Sequence, residues 1–100
     1  MSLTVNTSSD GKTVTISLPS EFDFRSHKEF RETHKVVDPS VQYIIDFSQT
    51  EHMDSSALGM LLLMREELGN EKAKVKFINC RDSIKSLLEM ASFHQLFDVA

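Results

Sequence analysis

Leu3 and Val5, then Val14, Ile16 and Leu18, alternate with polar neighbours on either side of Ser8-Ser9-Asp10-Gly11. A period of two flanking Asp-Gly predicts an antiparallel hairpin, because that dipeptide accepts the positive-φ turn that matches strand twist. Pro19 closes the second strand. Ser26-His27-Lys28-Glu29 has the spacing of a capping box, in which serine and glutamate each satisfy an orphan backbone donor, and predicts a short helix from there to Lys35. Asp38-Pro39 ends it, since the residue before proline is pushed out of the α region. Val41 to Phe47 is a nearly continuous apolar and aromatic run, which predicts a strand buried on both faces near the middle of the sheet.

After Asp54 the period changes to that of a helix. Ala57, Leu61, Met64 and Leu68 form one stripe, Leu58 and Leu62 widen it, and Gly69-Asn70 supplies a left-handed cap. Val75 to Ile78 predicts another strand. Asp82 is expected to cap a third helix whose Ile84, Leu87, Leu88 and Ala91 fall at i, i+3, i+4, i+7. The tail from Phe93 to Val99 is apolar enough to return to the core as a short last strand. The order is ββαβαβα with a final β. Strands separated by helices are normally parallel, so the expected fold class is α/β: a mixed, mostly parallel sheet opened by a β-hairpin, with packed helices. Residues 1–100 read as a single domain, without internal repeat, linker or low-complexity stretch.

Composition narrows the function. One hundred residues with 40% hydrophobic content support one modest core. A net charge of −4 without a Lys/Arg cluster gives no footprint for nucleic acid or an anionic bilayer, so protein partners are expected. The longest apolar run, Met60 to Met64, is far too short for a membrane span, and the first residues lack the basic and apolar regions of a leader. A cytoplasmic protein is the expectation, and the lone Cys80 fits a reducing compartment as a small core residue.

Chemistry gathers at one end of the sheet. If the strands ending at Leu18 and Phe47 run parallel, the following loops bring Asp23 and Asp54-Ser55-Ser56 to the same edge, with Asn79 to Asp82 beside them. Asp and Ser at a helix start are first of all N-cap residues. The helix that follows is oilier than a cap requires. Met60 and Leu63 fall between the apolar stripe and the polar face, where either a fuller core covers them or a partner does. Gly59 inside a helix costs about 1 kcal/mol relative to alanine and points to a close approach.

These residues carry a resemblance. Ile45-Asp46-Phe47 through Met53-Asp54-Ser55-Ser56-Ala57-Leu58-Gly59 resembles the signature of STAS domains, the family of sulfate transporters and anti-sigma factor antagonists. Glu21-Phe22-Asp23 is similar to the family's Glu-Leu-Asp step, and Leu87-Leu88-Glu89-Met90-Ala91 through Phe97 resembles its C-terminal helix. The element order agrees over essentially the full chain. What the resemblance implies is a phosphorylation switch. The phosphoacceptor would be Ser55, with Ser56 as alternative; Asp23 and Asp54 would flank it, and Ser56, Leu58, Gly59, Met60 and Leu63 would complete the contact surface. The implied partners are a serine kinase of the anti-sigma factor type, a PP2C-type phosphatase, and a sigma pathway or another regulatory protein as output. Two departures stand out: Ala57 and Ser20 occupy places where antagonists usually have glycine, and a methyl at Ala57 is expected to narrow the approach to the hydroxyl.

Rival classes are weaker. The chain has no G-x-S-x-G elbow, Walker-type glycine loop or HExxH, so no catalysis is expected and no cofactor is called for. His27 and His34 lie seven apart on the first helix, while His52 and His94 are isolated, which makes a metal site a poor expectation. The alternative that remains is a non-switching STAS accessory subunit of a transport or sensory complex.

Overall fold

The computed structural model describes residues 3–34 and 40–100. Along the chain they form β1 (Thr4–Thr7), β2 (Thr13–Ser17), β3 (Glu21–Phe22), α1 (His27–Glu32), β4 (Gln42–Asp46), β5 (His52–Met53), α2 (Ser55–Glu67), β6 (Val75–Ile78), α3 (Asp82–Met90) and β7 (Asp98–Val99). The main sheet has the order β1-β2-β4-β6-β7. Only β1 pairs antiparallel; β2, β4, β6 and β7 run parallel to one another. The mixed, mostly parallel sheet opened by a hairpin is therefore observed, with β4 at its centre. In the hairpin turn Gly11 takes φ +72°, and Asp10 Oδ1 accepts from the Ser8 hydroxyl and the Lys12 amide.

The register sets the core. Ile16, Ile45 and Phe77 stand opposite one another across β2, β4 and β6, and all three are fully buried. The same face continues through Tyr43, Val75 and Phe47 to the buried stripe Ala57, Met60, Leu61, Met64 and Leu68 of α2, and to Phe30, Ile84 and Leu88 of the other two helices. Phe77 stacks on Phe97 with ring centroids 4.5 Å apart, and Phe47 packs tilted against Phe77 at 5.0 Å.

Several expectations change. β4 is not buried on both faces: Tyr43, Ile45 and Phe47 are covered, whereas Gln42, Ile44 and Asp46 are half-buried, because the packed core lies on one side of the sheet. The capping box does not form. A 3-10 turn over Phe24–Ser26 leads straight into α1, so the Ser26 amide already bonds Asp23 O at 3.0 Å, and Glu29 Oε1 instead accepts from the Leu3 amide at 3.3 Å. Asp82 is the first helical residue of α3 rather than its cap; Arg81 takes the cap position without a side-chain bond, and the Asp82 carboxylate sits where the helix dipole favours negative charge. The Gly69-Asn70 cap is present, with φ +104° and +55°. Lys35, at the expected end of α1, and the Asp38-Pro39 break lie outside the described residues.

Candidate functional site

The loops after β2, β4 and β6 leave the same edge of the sheet, and they are sewn together there. The Leu18 amide bonds Asp46 O and the Phe47 amide bonds Ile78 O, each at 3.0 Å. Asp46 Oδ1 accepts from the Ser48 amide at 2.9 Å and from Asn79 Nδ2 at 3.1 Å, which helps hold Asn79 at φ +59°. The Glu51 and His52 amides both bond Ser20 O, at 2.8 and 3.0 Å. Thr50, fully buried, donates its hydroxyl to Pro19 O at 3.0 Å.

These ties produce a feature absent from the sequence reading: β3 and β5 pair in parallel as a second, two-stranded sheet, with Glu21 opposite His52 and Phe22 opposite Met53. Extending that register by one residue brings Asp23 opposite Asp54. Together with Glu21, Phe22, His52 and Met53 they line an open depression of about 130 Å³. Asp54 is the N-cap of α2: its Oδ1 accepts from the Ala57 amide at 2.9 Å, with an extended backbone as capping requires. Ser55 and Ser56 follow as the first helical residues. Both are exposed, and no described residue engages either hydroxyl.

Asp23 is fixed differently. It caps the 3-10 turn by accepting from the Arg25 amide at 3.0 Å, and the Arg25 guanidinium grips its two oxygens at 2.7–3.1 Å while also reaching Glu21 at 3.0 Å. The Arg25 hydrogen bond holds the Asp23 carboxyl below the usual carboxylate range, and the same contacts raise the guanidinium's pKa. Between Asp23 and Arg25 the Phe24 ring points outward, 68% exposed.

The proposed contact surface on α2 divides. Ser56 and Gly59 are exposed, Leu58 is half-buried, and Leu63 is 38% exposed. Met60 belongs to the core at 6% exposure, so its side chain is withdrawn from that surface. The Ala57 methyl is fully buried as well and faces the core, so it does not narrow the approach to the serine hydroxyl. Gly59 has nothing within 4 Å of where a Cβ would stand, so the fold itself makes no demand for glycine there.

His27 and His34 do share a groove between α1 and α2, with Phe30, Arg31, Met60, Leu63 and Glu67. His34 is buried, its Nε2 3.1 Å from Glu67 Oε1 and its Nδ1 3.2 Å from the Thr33 hydroxyl. Burial lowers its pKa, against the pull of Glu67. Cys80 is half-buried against the core, which raises its thiol pKa. Among the described residues no group of metal-ligating side chains comes together, and no helix is long and apolar enough to cross a membrane.

The sequence pattern did not single out Thr50, Phe24 or the ion pair of Arg25 with Glu21. Nothing in the loop Ser48-Gln49-Thr50-Glu51 marks one hydroxyl as buried. The acid–acid–base spacing Glu21, Asp23, Arg25 was a legible signal for a clamped turn, and Phe24 within it was legible as an aromatic beside an acidic residue.

A mixed, mostly parallel sheet with a clamped acidic turn and a serine pair opening a capped helix at one edge defines a small α/β domain. The chain belongs to the STAS family: the STAS domain model matches residues 4–100. A STAS-domain containing protein of Pseudomonas aeruginosa strain UCBPP-PA14 is 37% identical over 101 residues, covering all of both chains. Among solved structures, the phosphorylated Bacillus cell fate determinant SpoIIAA is similar with TM-score 0.74 and 20% identity, over 99% of this chain and 91% of that one. The unphosphorylated form of the anti-sigma factor antagonist SpoIIAA gives 0.72 at the same identity, over 99% and 87%. The murine anion transporter Slc26a9 matches with TM-score 0.70 and 14% identity, over 88% of this chain and 16% of that one. At these identities the structural likenesses establish the fold.

Proposed function

We propose that this STAS domain is a non-catalytic regulatory module of the anti-sigma factor antagonist type, switched by phosphorylation of Ser55, with Ser56 as the neighbouring alternative. Unphosphorylated, it binds a partner serine kinase or a related regulator; phosphorylated, it releases it; a PP2C-type phosphatase resets it. The observation that carries this reading is the exposed Ser55 on the first turn of a capped helix, at the edge where Asp23 and Asp54 line one depression.

The physics of such a switch follows from the position. A phosphate at a helix start gains from free N–H groups and the dipole, which offsets repulsion from Asp54, so the domain itself stays folded. The effect falls on the interface. A kinase presents a carboxylate base and nucleotide phosphates to the acceptor hydroxyl, so the surface opposite Ser55 is itself anionic. A charge of about −1.5 to −2 placed there meets repulsion and desolvation. An unpaired buried charge at an interface costs about 2–5 kcal/mol, roughly thirtyfold to several thousandfold in affinity.

Phosphopeptide mass spectrometry on protein from growing cells tests the acceptor, and binding assays with the kinase purified by its phosphate transfer to this chain test the switch. Ser55→Asp is expected to lose partner binding with little change in Tm, and Ser55→Ala to stay bound constitutively. Equal binding by both variants removes Ser55 from the mechanism. A chain that carries no phosphate on either serine in any growth condition would instead be the non-switching accessory subunit.

A further inference from the structure

Phe24 directly follows Asp23, which lines one depression with Asp54 next to the proposed acceptor, and it stands 68% exposed between two anchored neighbours. Exposure of a single aromatic is ordinary on its own. Here the backbone turn that carries the ring is anchored on both sides. Phe22 is fully buried, its ring edge-on to Phe30 with centroids 5.3 Å apart, and Ser26 on the other side is buried as well. The intervening turn is held by the Asp23 cap, by the Ser26 amide on Asp23 O, and by the Arg25 guanidinium bound to both Asp23 and Glu21. An aromatic on an anchored turn loses only its two side-chain torsions when a partner covers it, with no backbone left to order, which suits an interface anchor.

The surroundings say what covers it. Glu21, Asp23 and Asp54 share the depression next to the turn that carries Phe24, and Arg25 is committed to the first two, so the rim is net acidic. We infer that Phe24 is the aromatic anchor of this face, inserted into an apolar pocket rimmed by Lys or Arg on the partner that phosphorylates the Ser55-Ser56 pair. The inference rests on the proposed switch and adds to it the residue that selects the partner. The basic rim pairs with Glu21, Asp23 and Asp54, Phe24 sets the fit, and the seryl group facing the kinase's own anionic groups sets whether the complex holds.

The test is the initial rate of phosphate transfer into the purified chain from a native-host lysate supplied with Mg-ATP, read on the Ser55-Ser56 peptide. Wild type is compared with Phe24→Ala, Phe24→Tyr and Met90→Ala; Met90 is 85% exposed on α3 and serves as the apolar control. Phe24→Ala should be slowed about tenfold or more, with Tm unchanged, while Phe24→Tyr and Met90→Ala stay near wild type. A Phe24→Ala rate equal to wild type, or an equal loss in Met90→Ala, overturns the anchor and leaves the switch standing. No phosphate on the wild-type chain overturns both.

Discussion

The tie between Thr50 and Pro19 decides whether the two halves of the site hold their register. The Thr50 hydroxyl is fully buried and donates to Pro19 O, joining the loop after β4 to the loop after β2. Thr50→Val keeps the shape and removes the donor, leaving a buried carbonyl unsatisfied at a cost of about 1–3 kcal/mol. For a 100-residue chain, whose unfolding entropy near Tm is about 0.2 kcal/mol/K, that is a fall in Tm of roughly 5–14 °C. Thr50→Ser removes one methyl and keeps the bond, so it should lose about 1 kcal/mol or less. The two variants also differ locally. The Glu51 and His52 amides bond Ser20 O only while the loops stay together, so their hydrogen exchange should accelerate about fivefold or more in Thr50→Val and change little in Thr50→Ser. Thermal denaturation by circular dichroism and amide exchange by NMR read the two effects. A Thr50→Val chain melting within about 1 °C of wild type, well below the cost expected for an unsatisfied buried group, would refute the assignment of that hydroxyl as the clamp.

Other outcomes follow from the same geometry. Gly59→Ala should raise stability by about 0.5–1 kcal/mol, a few degrees in Tm, since the position is helical and open; a stabilised variant with weaker partner binding would place the close approach at the interface. A loss of stability on Gly59→Ala would contradict the open space. Burial depresses the His34 pKa, so the folded state resists its protonation. The resulting stability is complete above the unfolded histidine value of about 6.5 and declines as pH falls through it. Tm should drop between about pH 7.5 and 5, and by less in His34→Gln; identical pH profiles for the two chains would show that other groups govern the decline.

Much of the architecture was legible because local pattern and tertiary role coincide. Alternation around Asp10-Gly11 gave the hairpin, and the Ala57-Leu61-Met64-Leu68 stripe gave the buried face of α2, since each pattern matches a repeat of the backbone itself. The Asp54 cap was legible for the same reason: its bond to the Ala57 amide spans three residues. The reading of Ser26 failed although its motif is also local, because the amide it would have helped satisfy had already found Asp23 O in a turn that the capping-box pattern does not encode. Met60 and Leu63 sit three residues apart and looked alike; only the packing of α1 against α2 buried one and left the other partly open.

The chain's own order of residues determined the strands, the helices and the serine at a helix start, for these depend on periodicities of two and 3.6 and on hydrogen bonds across a few residues. Tertiary structure decided that β3 and β5 pair, that Thr50 is buried against Pro19, and that Asp23 and Asp54, already expected at one edge, line one depression. Those outcomes join residues about thirty positions apart, as in the bond of Thr50 to Pro19. Their energy lies in contacts that exist only once the sheet has assembled, and no local pattern records them.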